Sequence, residues 1–70
     1  MSATHRRAQL KINAARCNIT EGERVFPDTI IGEDWETGEP VEAGCSGVVE
    51  HVAFSGGEHA LIVTIAAEED

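Results

Sequence analysis

Aromatic side chains are scarce in this chain, which has two Phe, one Trp and no Tyr among 70 residues. Cysteine is equally rare, and two Cys are too few for a disulfide-stapled scaffold. A cytoplasmic protein with reduced thiols is therefore expected, although the sequence leaves a Cys17–Cys45 bridge open. No run of about 18 apolar residues occurs, and no apolar stretch follows the polar N-terminus, so neither a membrane span nor a secretory signal is predicted.

Basic side chains are absent after Arg24. The first 24 residues hold five basic and two acidic residues, a net charge of +3, whereas residues 25–70 hold eleven acidic residues, a net charge of −11. Binding to phosphates requires clustered Lys and Arg, so this balance argues against nucleic acid as the main partner. The basic residues form either an arm beside an acidic body or a strand that pairs with carboxylates across the fold. Because they are spread along the segment and not clustered in one block, the second interpretation is favoured.

Short strands separated by turn residues are the main pattern in the chain. Ala8–Ala14 alternates apolar and polar residues, as a half-buried strand does, and Gly and Pro interrupt every window long enough for a helix. Residues 32–40 are predicted to form an acidic loop. Ser55–Glu58 are predicted to be a four-residue hairpin loop that places Phe54 opposite His59. Further extended segments are predicted at Val25–Phe26, Thr29–Ile31, Val41–Ala43, Val48–Phe54 and His59–Ala66.

This pattern predicts an all-β fold, a small closed barrel or barrel-sandwich hybrid of five to seven short strands. The single domain is expected to cover residues 8–67, between a flexible arm at 1–7 and an acidic tail at 68–70. A chain of this length buries only roughly 60% of the surface that it exposes when unfolded, so additional burial against a partner protein or a second copy is expected to stabilise it.

Three short segments carry a resemblance to a known fold. Gly22-Glu-Arg-Val25, followed by Pro40-Val-Glu-Ala43 and Ser46-Gly-Val-Val49, resembles the biotinyl/lipoyl-like fold and its barrel-sandwich hybrid relatives over about residues 10–66. That family attaches biotin or lipoate to a Lys at a hairpin tip. The corresponding loop here, residues 33–38, contains no Lys, and the only Lys is Lys11 in the first strand. The resemblance therefore implies the fold as an interaction or assembly module, with no covalent cofactor.

A second resemblance is to SH3-like small barrels, in which a Gly-x-x-Val turn, a long loop and a final hairpin also occur. Gly22–Val25 and the segment from Gly47 to Ile65 fit that arrangement. Such barrels serve as accessory subunits or as peptide and RNA binders. In this chain RNA binding would rely on Arg6, Arg7, Lys11 and Arg16.

Catalytic and metal sites find little support in the residue spacing. A metal or thiol carrier would use Cys17, Cys45, His51 and His59, but no short Cys or His ligand pair of the kind found in zinc sites is present. Cys45 and Ser46 lie in a Gly-Cys-Ser-Gly turn without the strand-to-helix elbow of a nucleophile. We therefore expect neither an enzyme nor a bound cofactor or metal.

The acidic loop is the candidate partner-binding site. Its order of carboxylates does not match a calcium-binding loop. Trp is enriched in interface hot spots, and Trp35 lies among these carboxylates. The sequence favours a noncatalytic accessory module that binds a basic protein surface through Glu33, Asp34, Trp35, Glu36 and Glu39.

Overall fold

Six β-strands make up the fold, which confirms the all-β prediction. The computed structural model describes residues 6–57 and 59–68. Within these ranges no helix is long and apolar enough to cross a membrane. The strands are β1 (Arg6–Cys17), β2 (Arg24–Val25), β3 (Ile30–Asp34), β4 (Pro40–Glu42), β5 (Gly47–Ser55) and β6 (Ala60–Ala67).

The first strand is longer than the alternating segment that predicted it. Arg6 and Arg7 pair with Ala67 and Ala66 of β6, so the described part of the predicted N-terminal arm belongs to β1. Residues 1–5 lie outside the described part of the chain. β1 is hydrogen-bonded to β6 on one side and to β3 on the other. The backbone hydrogen bonds to these neighbouring strands keep its polar ends extended, although the local residue pattern does not predict a strand there.

All six strands belong to one antiparallel sheet, in the order β2-β5-β6-β1-β3-β4. Strands β2 and β3 are consecutive in sequence and are linked by residues 26–29 alone, although three strands lie between them in the sheet. Four residues span at most about 14 Å of extended chain. The sheet must therefore curl strongly to bring its two ends together.

The two ends approach each other without forming a strand ladder. After β4, the N–H groups of Ala43 and Gly44 donate to the carbonyls of Thr29 and Pro27, at 2.8 and 2.9 Å. No described residue of β2 pairs with β4. The sheet is thus open, and the predicted closure into a barrel is not confirmed.

A single core fills the concave side of the sheet. Ile12, Val25, Ile31, Val49 and Ile65 come from five different strands, and each is at most 1% exposed. Burying a Val or Ile side chain stabilises a fold by about 1.5–3 kcal/mol. These residues therefore hold the curled sheet together from inside.

The pairing of β5 with β6 differs from the predicted register. Phe54 lies opposite Leu61 instead of His59, because β5 continues to Ser55, which pairs with Ala60, so the connection between the two strands starts one residue later than predicted. Val52 accordingly faces Val63, and a register shift between Val49 and His51 marks a β-bulge at Glu50. The bulge lets Val49 point into the core while the charged Glu50 stays exposed.

The predicted acidic loop is shorter than residues 32–40. β3 continues to Asp34, since Ile12 and Cys17 of β1 pair with Asp34 and Gly32. Gly32 permits this close approach, because a Cβ there would lie 2.6 Å from the carbonyl oxygen of Arg16. The loop proper is therefore residues 35–39.

Candidate functional site

The β3–β4 hairpin brings together all five residues of the predicted partner-binding site. Glu33 and Asp34 end β3, and Trp35, Glu36 and Glu39 lie in the turn before β4. We call residues 34–39 the acidic turn. The five residues therefore share one hairpin, as their closeness in sequence requires.

Asp34 fixes the backbone of the acidic turn. Its Oδ1 accepts hydrogen bonds from the backbone N–H groups of Glu36 and Thr37, at 2.8 and 3.0 Å. The backbone of Asp34 also accepts from the N–H of Gly38 and donates to the carbonyl of Glu39, at 2.9 and 2.7 Å. An Asp side chain that bonds to the following backbone in this way is a common turn former.

These bonds also set the charge state of Asp34. The N–H groups of Glu36 and, next, Thr37 stabilise the carboxylate and lower its pKa below the ordinary value for Asp. Asp34 therefore stays ionised at every physiological pH. Its oxygen Oδ1 is occupied by the turn, so its role is to shape the site.

The remaining carboxylates of the hairpin fall into two groups. Glu33 lies 3.8 Å from Nε of Arg16 on β1, so its charge is partly neutralised within the protein. Glu36 and Glu39 are exposed and lack an ion pair with any cation of residues 6–57 and 59–68. Within the acidic turn, the negative charge available to a partner is thus concentrated at Glu36 and Glu39.

Trp35 lies partly exposed beside a cation of the neighbouring strand. Its side chain keeps 36% of its accessible surface, and the Nζ of Lys11 is 4.0 Å from the ring centroid. That distance is within the range of a cation–π interaction. Sequence reasoning did not assign Lys11 to this site, because only the long-range pairing of Ile12 with Asp34 places it there.

Most Lys and Arg side chains are paired with carboxylates across the sheet in the described part of the chain. Arg7 Nε lies 2.5 Å from Glu50 on β5, and Arg24 Nη1 of β2 lies 2.7 Å from Glu68. The Arg24 hydrogen bond lowers the pKa of Glu68, and the Glu68 bond raises the pKa of Arg24. With the Arg16–Glu33 pair, these contacts confirm cross-sheet pairing for three of the five basic residues, although Arg24 lies outside β1.

The residues of the carrier alternative are not gathered into a metal-binding group in the described part of the chain. Cys17 and Cys45 are free thiols that pack against the core, and Cys17 Sγ donates to the carbonyl of Ile19 at 3.4 Å. His51 Nδ1 lies 3.3 Å from a carboxylate oxygen of Glu21. Across residues 6–57 and 59–68, no three His, Cys, Asp or Glu side chains are grouped so that they could hold a metal ion.

Comparisons of the chain with models of protein families, with curated proteins and with solved structures found no match. Any assignment of function therefore relies on the geometry of the hairpin and on the charges around it.

Proposed function

We propose that this protein is a noncatalytic interaction module, an accessory subunit of a larger assembly, that binds a basic protein surface through Trp35, Glu36 and Glu39. Support comes from the position of the three side chains on one turn. Glu36 and Glu39 would steer and align a positively charged partner, while Trp35 would supply apolar contact area at the centre of the interface. Lys11 and Asp34 would hold the ring and the turn in place.

One observation carries the proposal: the exposed Trp35 stands on a backbone that is already fixed. The bonds made by Asp34 to residues 36, 37, 38 and 39 order the turn before any partner arrives. Ordering side chains and loops at an interface costs free energy on association. A turn that is ordered in advance avoids part of this cost.

We further propose that the curled sheet acts as a barrel-like scaffold of the barrel-sandwich hybrid type, similar to the biotinyl/lipoyl-like fold without its modifiable Lys. The single enclosed core and the bonds from residues 43 and 44 to residues 29 and 27 support closure in this sense. The hairpin of the acidic turn also lacks Lys. An SH3-like barrel is the alternative, and a cytoplasmic location with reduced thiols accords with the two free Cys side chains.

Peptide binding at the acidic turn would suit either scaffold. RNA binding through the basic residues receives less support, because Arg7 and Arg16 are held by Glu50 and Glu33. A carrier role receives less support as well, because the Cys thiols face the core.

The test is affinity capture from an extract of the native host, with wild-type protein and two variants of equal net charge. Glu36→Gln/Glu39→Gln removes two charges from the acidic turn. The control Glu50→Gln/Glu68→Gln removes two exposed charges elsewhere, whose surface ion pairs with Arg7 and Arg24 contribute little to stability. We expect one reproducible partner with a basic surface, lost with the first variant, retained with the second and weakened in about 0.5 M salt, where the Debye length is only a few ångströms. Equal capture by both variants would overturn the proposal.

Trp35 is tested by the same capture with Trp35→Ala. Loss of the partner is expected, with the fold checked by circular dichroism. If a folded Trp35→Ala variant still binds the partner, Trp35 is not part of the interface. Size-exclusion chromatography of the purified protein, run in parallel, shows whether a second copy of this chain is the partner.

A further inference from the structure

A second exposed surface lies at the opposite end of the β3–β4 hairpin from the acidic turn. Phe26 and Ile30 are two of the four large apolar side chains that are exposed in the described chain, at 53% and 43%. They flank the tight turn at residues 26–29, in which the N–H of Phe26 donates to Oγ1 of Thr29 and the N–H of Thr29 donates to the carbonyl of Phe26. These two hydrogen bonds fix the backbone between the two apolar residues, which are four positions apart in sequence.

The outward direction of these side chains follows from their buried neighbours. Val25 and Ile31 are fully buried in the core. Successive side chains of an extended chain point to opposite faces, so Phe26 and Ile30 point away from the core. The burial of Val25 and Ile31 thus forces Phe26 and Ile30 to be exposed.

Two carboxylates border the apolar pair. Glu42 of β4 is paired with Ile30 across the hairpin, and Asp28 lies within the turn itself. Both are exposed, and neither forms an ion pair with a cation of the described residues. Elsewhere on the protein, Glu33, Glu50 and Glu68 are matched by Arg side chains. Asp28 and Glu42 therefore resemble Glu36 and Glu39 of the acidic turn in lacking an Arg partner among the described residues, but only Asp28 and Glu42 lie beside the exposed apolar pair.

The strand edge beside this surface limits what can dock there. The carbonyl of Glu39 and the N–H of Ala43 face β3, so by alternation Pro40 and Glu42 face outward. Because Pro40 has no N–H, the outer edge of β4 offers a single N–H donor, that of Glu42. Addition of a long partner strand is therefore disfavoured, and side chains must provide the contacts.

We infer that the surface formed by Phe26, Asp28, Ile30 and Glu42 binds a short protein segment in which a large apolar side chain lies between Lys or Arg residues. The apolar side chain packs on Phe26 and Ile30, and its basic neighbours pair with Asp28 and Glu42. Charge complementarity selects this occupant over an acidic or uncharged apolar segment. The surface is distinct from the acidic turn, so its failure and that of the proposed function are separable.

The experiment titrates ¹⁵N-labelled full-length protein with two peptides of equal charge, acetyl-Arg-Leu-Arg-Leu-Arg-amide and acetyl-Arg-Ser-Arg-Ser-Arg-amide. We expect the Leu peptide to shift the amide signals of residues 26, 28–31 and 42 and to bind at least about fivefold more tightly than the Ser peptide, because only its Leu side chains gain apolar burial. Equal affinity of the two peptides would overturn the inference. So would shifts confined to residues 34–39, or no shifts at all.

Variants assign the effect to the apolar pair. Ile30→Ser and Phe26→Ser should reduce binding of the Leu peptide to the level of the Ser peptide. Phe54→Ser removes a side chain that is 64% exposed on another part of the sheet and should leave binding unchanged. All three positions are exposed, so the variants are expected to fold. If Phe54→Ser weakens binding as much as Ile30→Ser, the inference is wrong.

Discussion

Replacing Gly47 by Ala should destabilise the fold far more than one added methyl group suggests. Gly47 is buried at the start of β5, where it pairs with Val25 of β2 and Ala67 of β6. A Cβ at this position would overlap the carbonyl oxygen of Ala66 and lie 2.9 Å from its carbonyl carbon and 3.0 Å from the Cα of Ala67. All three atoms are backbone, so no side chain can rotate to make room. Relief requires β5 to move away from β6.

Overpacking of this kind costs about 1–3 kcal/mol. A domain of this length is stable by roughly 3.5–10 kcal/mol, so Gly47→Ala removes a large fraction of the total. Since about 1 kcal/mol corresponds to about 4–8 °C in a small domain, the expected fall in Tm is about 4–24 °C. Gly56→Ala is the matched control, because Gly56 follows the other end of β5 with no atom within 4 Å of the added Cβ and no left-handed φ.

Urea unfolding followed by Trp35 fluorescence measures both variants, because Trp35 is the only Trp in the chain. The midpoint should fall for Gly47→Ala and stay unchanged or rise slightly for Gly56→Ala, with the same m value in both. A Gly47→Ala midpoint within error of the wild type would refute the close approach of β5 and β6 at this end of the sheet.

Three further outcomes are expected. The carboxyl of Asp34 should titrate below the ordinary Asp pKa in a carbon-detected NMR titration, and an ordinary pKa would contradict the turn hydrogen bonds. Because the pKa is lowered in the folded state, the ionised carboxyl stabilises the fold above the unfolded pKa near 3.9, and this stabilisation is lost as pH falls through the folded pKa. Ile65→Val should lower the free energy of unfolding by about 0.5–1.5 kcal/mol, measured by urea unfolding, since Ile65 is fully buried; an unchanged value would place it outside the core. Lys11→Met should alter the emission spectrum of Trp35, because the ammonium group lies over the ring, and an unchanged spectrum would argue against that contact.

Local patterns were sufficient to predict the strands but not how they pair. Strict alternation from Ala8 to Ala14 predicted β1, yet its extension to Arg6 and Cys17 depends on partners at least 15 residues away in sequence. The register of the last hairpin was missed because both Ser55–Glu58 and residues 56–59 satisfy the turn chemistry of a Gly-Gly loop. The bulge at Glu50 could not be predicted either, because the local sequence shows only a charged residue that interrupts an apolar face.

The candidate site was largely predictable because its members are adjacent in sequence. A run of carboxylates around one Trp between two extended segments must meet on the hairpin that joins them. The individual contacts that each of these side chains makes could not be predicted. Glu33 pairs with Arg16 and Asp34 bonds to its own turn, and the contact of Lys11 with Trp35 depends on the pairing of β1 with β3. Each of these contacts is long-range or conformational, so composition alone carries no signal for it.

The most direct test of the interaction role follows the fluorescence of Trp35 as the purified partner protein from the capture experiment is added. Saturable binding should change the emission of wild-type protein, and Glu36→Gln/Glu39→Gln should weaken the affinity by about tenfold or more while Glu50→Gln/Glu68→Gln leaves it nearly unchanged. If the partner binds both variants with wild-type affinity and the emission of Trp35 does not change on binding, the acidic turn is not the interaction site.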